Sequence, residues 1–349
     1  MISVGIVGTV GLPACYGGWE TLVDNIVKSK SDDVEYSVYC SSRSYEHKKK
    51  YHNGAKLIYL PISANGISSI FYDIISMIHT MFTKPNVIVV LGVSGCLFLP
   101  FYKLLPNSKV IVNVDGIEWK RDKWSGFAKR FLKFSEAMAV RYADVIVADN
   151  DGIRDYISAE YGIKSEVIAY GGEHALVSNV DGNCSDYFFT VCRIEPENNI
   201  EMILKAFSNS DVNYKIVGNW GASSYGEQLK VKYSVFENIE IIDPVYDLNV
   251  LFNYRNNCKG YIHGHSVGGT NPSLVEIMHF SKQIYAFDCV FNRFTTEDAA
   301  FYFSTTNDLE KLISDTCLSP GNEKMKDIAM KRYTWEIVAG QYESLYRGI

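Results

Sequence analysis

Two loops rich in glycine each follow an apolar run and precede a helical pattern, as phosphate-binding loops do. The first begins at Gly8, ends at Thr21 and reads GTVGLPACYGGWET. Its glycines let the backbone turn tightly and bring N–H groups close to a ligand, and the following helix N-terminus favours negative charge. A plain strand-to-helix connection needs about two to six residues, so this loop is longer than a turn requires. Its spacing departs from GxGxxG, which makes NAD binding the weaker interpretation.

The second loop reads HGHSVGGTNPSLVE, begins at His263 and carries the strongest signal. Backbone amides from Gly269 to Ser273 could cradle phosphates at the N-terminus of the following helix. Glu276, about one turn inside that helix, could bind ribose hydroxyls. His263 and His265 lack the spacing of a helical zinc pair and have no third ligand nearby. We therefore interpret both as core or loop-ordering histidines.

Charged residues follow two further apolar runs. Arg193 comes after the first strand of the second half, where a guanidinium could form a fork of hydrogen bonds to a departing diphosphate. Pro196 suits the first turn of the next helix. In NVDGIEWKR, Asp115 or Glu118 could orient or deprotonate an acceptor hydroxyl. Alternatively, Asp115 forms a turn with Gly116 and caps a helix, and both interpretations stay open.

An Asp-Asn-Asp run at 149–151 looks like a metal-binding DxD pair. It lies between a strand and a helix, so N-capping by Asp149 or Asp151 explains it better. No metal is inferred.

Aromatic and basic residues interleave along the segment 120–138. Phe127, Phe131, Phe134 and Met138 fall at helical spacing, with Lys129, Arg130 and Lys133 between them and Lys120, Arg121, Lys123 and Trp124 ahead. This pattern suits an anionic lipid surface. An amphipathic helix packed on its own sheet is the more common cause of such spacing.

The elements that must position these residues alternate between short apolar runs and longer helical patterns, which predicts parallel βαβ units. In the first half, strands are predicted at Ser3–Gly8, Glu35–Cys40, Lys56–Leu60, Val87–Leu91, Lys109–Val114, Val145–Ala148 and Glu166–Ile168. In the second half they are predicted at Tyr187–Val191, Tyr214–Val217, Ile239–Ile242, Gly260–His263 and Ile284–Phe287. The boundary between the two halves is expected within residues 169–185. Two doubly wound sheets would place a ligand site in the cleft between them, outside the carboxyl ends of the strands.

Composition limits the class of protein. The chain has 349 residues, enough for two domains, with 47% hydrophobic and 21% charged residues. A net charge of −6 argues against nucleic-acid binding. Eight scattered cysteines suggest buried thiols in a reducing compartment rather than disulfides or zinc. The first residues, MISVGIVGTVG, predict a strand rather than a signal peptide. Residues 67–82 come nearest to a membrane span but contain Asp73 and His79. We expect a cytoplasmic protein.

Taken together, these blocks resemble the bacterial rhamnosyltransferases of the glycogen-synthase-like retaining GT-B superfamily, and more narrowly the capsule and O-antigen enzymes that use dTDP-L-rhamnose. The blocks are GTVGLPACYGGWET, NVDGIEWKRDKW, VIAYGGE, RIEPENNIEMIL, VGNW, GHSVGGTNPSLVE and YTWEIVAGQYESLY, and they cover nearly the whole chain. The resemblance implies an α/β GT-B fold with two Rossmann-like domains facing across a cleft. Residues 1–172 would bind the acceptor, residues 173–330 the donor, and residues 331–349 would return to the first domain.

The resemblance also implies roles for individual residues. Arg193 would bind the diphosphate and act in catalysis, with Asp115 and Glu118 as the acceptor-side candidates, and Glu276 would bind the ribose. The other donor-binding candidates are Gly11, Tyr16, Gly17, Gly18, Gly218, Asn219, Gly268, Gly269, Thr270, Asn271, Pro272 and Ser273. Two positions depart from the superfamily pattern. Gly268 stands where the first of two glutamates is expected, and Asn198 stands where a lysine is common.

The activity implied is retaining transfer of L-rhamnose from dTDP-L-rhamnose to a lipid-linked oligosaccharide, without metal or other cofactor. The expected partners are this donor, the lipid-linked acceptor and the inner membrane surface as a peripheral contact. Another donor, such as UDP-glucose or a UDP-N-acetylhexosamine, is an alternative within the class. A nucleotide-sugar epimerase or dehydrogenase would require GxGxxG and a Tyr-x-x-x-Lys pair, and the sequence contains no GxGxxG. A catalytically silent sugar-binding or assembly protein is the third alternative.

Overall fold

The structure is a computed structural model that describes residues 1–15, 17–105, 108–120, 125–177, 185–315 and 322–348. Its strands, in chain order, are β1 Ile2–Val7, β2 Val34–Ser41, β3 Tyr51–His52, β4 Ala55–Leu60, β5 Val87–Leu91, β6 Lys109–Asn113, β7 Val145–Ala148, β8 Glu166–Val167, β9 Phe188–Val191, β10 Tyr214–Val217, β11 Ile239–Ile242, β12 Gly260–His263, β13 Gln283–Phe287 and β14 Phe301–Phe303. Its α-helices are α1 Gly18–Lys28, α2 Ser68–Thr83, α3 Leu99–Tyr102, α4 Gly126–Tyr142, α5 Asp151–Tyr161, α6 Ile200–Ser208, α7 Ser224–Tyr233, α8 Leu248–Asn257, α9 Pro272–Met278, α10 Val290–Thr296, α11 Thr306–Ser314, α12 Glu323–Arg332 and α13 Trp335–Arg347.

The chain forms two compact units. Unit 1 comprises Met1–Tyr170 and Trp335–Ile349, and unit 2 comprises Gly171–Thr334. The sequence analysis placed the change of unit at 172 and the return to the first unit at 331.

Unit 1 contains an eight-stranded sheet in the order β3-β4-β2-β1-β5-β6-β7-β8. All its described pairings are parallel except the short hairpin of β3 with β4. The central strands β5 and β6, VIVVL and KVIVN, are buried almost throughout, as expected where helices cover both faces of a parallel sheet. The expected strand at the start of the chain is confirmed as β1, and β3 was not predicted.

Helix α13 packs into unit 1 although it ends the chain. Its Tyr342 hydroxyl accepts a hydrogen bond of 2.8 Å from the buried Asn113 side-chain amide at the end of β6. Its Tyr346 ring meets Tyr36 of β2 edge-on at 6.2 Å between centroids, and Glu343 accepts a bond of 2.7 Å from the Ser31 amide. These contacts fix the last helix to the first sheet.

Unit 2 contains a six-stranded parallel sheet in the order β11-β10-β9-β12-β13-β14. Helix α6 covers its core with Ile200, Ile203, Leu204 and Phe207, the spacing of one helical face. Phe207 stacks on Tyr214 of β10 with centroids 4.1 Å apart. The edge strand β14 was not predicted.

The cysteines agree in part with the expectation of buried thiols. In the part of the chain that the structure describes, Cys40, Cys96 and Cys258 are buried, and Cys192 and Cys289 are half-buried. Cys15 is exposed, so the expectation was wrong there. Cys184 and Cys317 lie outside the described residues.

Candidate functional site

In each unit the strand order reverses at one point, and the predicted loops follow the strands that flank it. In unit 1 the chain passes from β1 to β2 on one side and later to β5 on the other. In unit 2 it passes from β9 to β10 on one side and to β12 on the other. Such switch points leave a crevice at the carboxyl ends of the strands, where ligands bind in open α/β sheets. The glycine loop follows β1, the Arg193 loop follows β9 and the His263 loop follows β12.

The glycine loop of unit 1 requires its glycines. Gly11 has φ 129°, and a side chain there would place its Cβ 2.7 Å from Cys40 Sγ. Gly17 has φ 104° and is the N-cap of α1, which starts at Gly18 rather than near Thr21 as expected. Gly17 and Gly18 are exposed. Tyr16 lies outside the described residues.

A buried carboxylate fastens this loop. Glu20 Oε1 accepts hydrogen bonds from Thr9 Oγ1 at 2.8 Å and from the Val10 amide at 2.7 Å. Burial raises the pKa of Glu20, and the two hydrogen bonds act in the opposite direction. Sequence reasoning did not single out Glu20 or Thr9. The signal was a glutamate in the first turn of a helix, where carboxylates bind backbone amides.

Asp115 and Glu118 lie in the loop after β6. Asp115 has φ 62°, a left-handed conformation that suits the expected turn with Gly116, and its amide donates to Asn113 Oδ1 at 3.0 Å. Glu118 begins a single 3-10 turn, Glu118–Lys120. Both side chains are half-buried.

Arg193 follows β9 and is exposed in unit 2. Its side chain retains 48% of its accessible surface, and its Nη1 lies 3.5 Å from Glu195 Oε2, long for a hydrogen bond. Pro196 opens a 3-10 turn, Pro196–Asn198, and α6 begins at Ile200. The guanidinium therefore has solvent access at the switch point.

Side-chain hydrogen bonds join the Arg193 loop to the His263 loop. Asn198 donates to the Arg193 carbonyl at 2.7 Å, and its Oδ1 lies 2.6 Å from His265 Nδ1. Asn199 donates to the Gly264 carbonyl at 2.8 Å. Position 198, where the resemblance leads us to expect a lysine, thus holds an amide that braces two loops. It supplies no positive charge.

The His263 loop turns at Gly268, which has φ 125°. Gly269 is half-buried and Thr270 is buried. Asn271 caps α9, and Pro272 occupies the first helical position. The Asn271 Oδ1 accepts from the Ser273 amide at 3.0 Å and from its hydroxyl at 2.8 Å. Because the Ser273 amide already has an acceptor, a phosphate in this loop would have to rely on other donors.

The two histidines behave as expected for structural residues. His263 is buried at the end of β12, and burial lowers its pKa to about 3. It is therefore neutral at physiological pH. His265 is buried as well and orders the loop through Asn198.

Glu276 lies in a largely buried ionic cluster. Its Oε2 is bound by Arg255 Nη2, and its Oε1 lies 3.3 Å from His174 Nε2. Burial opposes ionisation, but the Arg255 charge and His174 outweigh it, so the pKa of Glu276 lies below its ordinary value. A ribose hydroxyl would share or displace these partners. Arg255 and His174 were not predicted as site residues, since each comes from a segment distant in sequence without a motif around it.

Gly218 and Asn219 follow β10. A Cβ at Gly218 would lie 2.4 Å from Ile194 Cδ1 and 2.9 Å from the Cys192 carbonyl oxygen, so a side chain there would crowd the Arg193 loop. Asn219 is exposed. Trp220 is buried, and its indole donates to the Ile242 carbonyl at 3.0 Å.

The acidic run at 149–151 is a helix cap, but the capping residue differs from the prediction. Asn150 caps α5 by accepting from the Gly152 amide at 2.8 Å, so the choice of Asp149 or Asp151 was wrong. Asp151 instead pairs with Arg154 at 2.6 Å. Across the part of the chain that the structure describes, no group of three or more His, Cys, Asp or Glu residues is placed to hold a metal.

The basic and aromatic segment forms α4 with an open recess beside it. A cavity of about 470 Å³ is lined by Trp119, Lys129, Arg130, Lys133, Phe134, Ala137 and Tyr161. Lys133 Nζ lies 4.8 Å from the centroids of both the Trp119 and Tyr161 rings. Arg121, Lys123 and Trp124 lie outside the described residues.

Comparison with solved structures identifies the fold. Sucrose-phosphate synthase from Thermosynechococcus elongatus is similar at TM-score 0.80 and 13% identity, with 100% of this chain and 99% of that chain covered. The chain has the GT-B fold. HepE from Anabaena, solved in complex with UDP-glucose, is similar at TM-score 0.76 and 13% identity over 100% of both chains. The lipopolysaccharide outer core galactosyltransferase WaaB in its apo form is similar at TM-score 0.69 and 15% identity, covering 100% and 99%.

Sequence comparison gives less information about function than structural comparison gives about the fold. Residues 1–173 match the family described as "Domain of unknown function (DUF1972)". No curated protein matches the sequence. The predicted α/β fold of GT-B type with two parallel-sheet domains is confirmed.

Proposed function

We propose that this GT-B chain is a glycosyltransferase that uses a nucleotide-sugar donor. The observation that carries the proposal is the position of Arg193 in unit 2. Its exposed guanidinium follows β9 at the switch point, and Asn198 braces its loop to the His263 loop after β12. A fixed cation at this place would stabilise the negative charge that develops on a departing diphosphate.

The proposed reaction is transfer with retention of configuration. The bond from the sugar anomeric carbon to the diphosphate oxygen breaks, and a bond from that carbon to the acceptor oxygen forms on the same face. The acceptor proton passes to the leaving diphosphate, so no carboxylate nucleophile is needed. Asp115 or Glu118 would orient the acceptor hydroxyl. No metal enters this scheme.

For the donor we propose dTDP-L-rhamnose, with a lipid-linked oligosaccharide of capsule or O-antigen synthesis as the acceptor. The support is the resemblance of the sequence blocks together with Gly268, which replaces a glutamate expected to bind sugar hydroxyls. A 6-deoxysugar has fewer hydroxyls to bind at the C6 end. Retention from a β-linked donor would give a β-linked rhamnose.

A UDP-sugar is the second candidate donor, because the structurally similar HepE was solved with UDP-glucose. Thermal stabilisation by dTDP, UDP and GDP compounds without added metal would separate the two. A shift with dTDP-L-rhamnose alone supports the first donor, and a shift with UDP compounds supports the second. Binding without turnover of any acceptor would indicate a silent sugar-binding protein.

The role of Arg193 is tested by Arg193→Ala. We expect turnover to fall by about 10²-fold or more, the usual cost of removing one donor to a developing anion. The melting temperature should stay within the error of the wild type, because the side chain is exposed. Arg154→Ala is the matched control, since that arginine is similarly exposed on α5 in unit 1. Near-normal turnover of Arg193→Ala would remove Arg193 from the scheme.

A further inference from the structure

Helix α2 of unit 1 exposes a continuous apolar stripe. Its large exposed side chains, with the residue that precedes it, recur every three or four positions and are Ile67, Phe71, Ile75, Ile78 and Phe82. Phe71 is 61% exposed and Phe82 is 79% exposed. The opposite face of the helix, which includes Tyr72, Met77 and Thr80, is buried. A helix that is apolar on both its buried and exposed faces is normally covered on both.

The polar residues that interrupt this run in sequence do not interrupt the stripe. Asp73 is 3% exposed and accepts a hydrogen bond from the Ser94 hydroxyl. His79 is half-buried, and its Nδ1 lies 2.7 Å from the Tyr39 hydroxyl of β2. Both side chains are therefore held by partners in unit 1, and the outer face stays free of charge.

The stripe belongs to a larger apolar surface on one helical layer. Helix α2 contacts α3, and α3 contacts α4. Of the twelve large hydrophobic side chains exposed in the described part of unit 1, ten belong to this layer. They are the five of the stripe with Phe101, Leu104, Leu105, Phe127 and Phe134. Apolar surface concentrated in this way marks an interaction site.

The charge on this layer is opposite in sign to that of the whole chain. Residues 67–105 and 126–142 contain six lysines and arginines, Lys84, Lys103, Lys129, Arg130, Lys133 and Arg141. The carboxylates within these ranges, Asp73 and Glu136, are buried. Lys103 pairs with Asp144 at 2.7 Å and Lys133 with Glu160 at 2.9 Å outside them, so the basic excess rests mainly on Lys84, Arg130 and Arg141. The chain as a whole carries −6. A basic rim around an apolar face complements anionic headgroups above acyl chains.

We propose that α2, α3 and α4 dock unit 1 onto an anionic lipid bilayer, with α2 lying in the membrane plane. The sixteen residues of α2 extend about 24 Å, and none of the helices in the described ranges is long and apolar enough to cross a membrane. The stripe enters the acyl boundary, and Lys84, Arg130 and Arg141 contact headgroup phosphates. The recess beside Phe134 lies at the α4 end of this surface. The inference does not rest on the proposed donor or reaction.

Vesicle sedimentation of the full chain tests the docking. We expect binding to vesicles of phosphatidylcholine with phosphatidylglycerol at least tenfold tighter than to phosphatidylcholine alone, and weaker as salt rises. The triple variant F71Q/I75Q/F82Q should lose at least tenfold in binding. The matched control V231Q/V235Q changes side chains of unit 2 that are 77% and 75% exposed, and it should bind like the wild type. Equal binding by the triple variant, or no binding by the wild type, overturns the proposal.

Hydrogen exchange tests the docking on the wild-type protein, so the result does not depend on whether a variant folds. Peptides covering 68–83 should exchange more slowly with anionic vesicles present, whereas peptides covering 224–233 should not change. Exchange in 68–83 that vesicles leave unchanged contradicts the proposal. Sedimentation velocity measures whether a second copy of the chain covers this apolar surface instead of a bilayer. A dimer that dissociates in F71Q/I75Q/F82Q and does not bind vesicles would assign the surface to self-association instead.

Discussion

Asp73→Asn should reveal a carboxyl that opposes folding at neutral pH. Burial raises the pKa of Asp73 to about 7 from an ordinary value of 3.8, although the Ser94 hydrogen bond acts to lower it. Between these two pH values the unfolded chain ionises while the folded chain keeps the proton. The unfolded state then binds fewer protons, so the free energy of unfolding falls as pH rises through the window and levels off above about pH 7.

The size of the effect follows from the two pKa values. The difference corresponds to about 4 kcal/mol across the whole window, of which about 3 kcal/mol falls between pH 5 and pH 8.5. The asparagine side chain resembles the protonated carboxyl of Asp73 and does not titrate in this pH range. The stability of Asp73→Asn relative to wild type should therefore increase by about 3 kcal/mol between those pH values. Comparing the two pH values cancels any fixed effect of the amide on packing.

The assay must report on unit 1, because two units can unfold separately. Urea unfolding followed by hydrogen exchange of peptides from β1 and β5 supplies the free energy of unfolding of this sheet. Carbon-13 NMR of labelled aspartate gives the midpoint directly. Ser94→Ala serves as a control, since removing the hydrogen bond should move the Asp73 midpoint higher. A wild-type midpoint below pH 5, or a stability difference that stays constant with pH, would refute the reasoning.

Three further substitutions test contacts elsewhere in the two units. Arg255→Met leaves Glu276 buried without its main counter-charge and should cost roughly 3–5 kcal/mol in urea unfolding of unit 2; adding Glu276→Gln should recover part of the loss, and no recovery would contradict the pairing. Gly11→Ala should cost at least roughly 2 kcal/mol from its φ and its clash with Cys40, and a neutral result would show that the loop relaxes. Tyr342→Phe removes the acceptor of a buried amide in β6 and should cost about 1–3 kcal/mol, with loss of α13 protection in hydrogen exchange; unchanged protection would count against this anchoring role.

Much of the fold could be predicted from the sequence because parallel strands buried on both faces are continuous apolar runs. VIVVL became β5, and KVIVN became β6. Two short strands were not predicted, although the equally short β8 was. Strand β3 has two residues and β14 has three, and their pairing depends on neighbours already in place rather than on a period of their own.

The candidate site was predictable where a motif follows a strand. Arg193 and the His263 loop belong to strands on either side of one switch point, and the order of the strands in the sheet brings them together. The bracing role of Asn198 was not predictable, because its two partners lie in different loops. The choice of Asn150 as the cap over its acidic neighbours depended on the local backbone conformation at the end of β7.

The sequence by itself determined the two βαβ-type halves, the glycine positions that permit the loops, and the apolar periodicity of α4. These follow from local properties, namely the spacing of apolar residues and the backbone freedom of glycine. Only the tertiary structure decided which polar side chains are buried or paired and which stay exposed. It buried Asp73, paired Glu276 with Arg255 and left Arg193 exposed. The physical reason is that burial and charge pairing depend on residues distant in sequence, and only the folded chain brings these together.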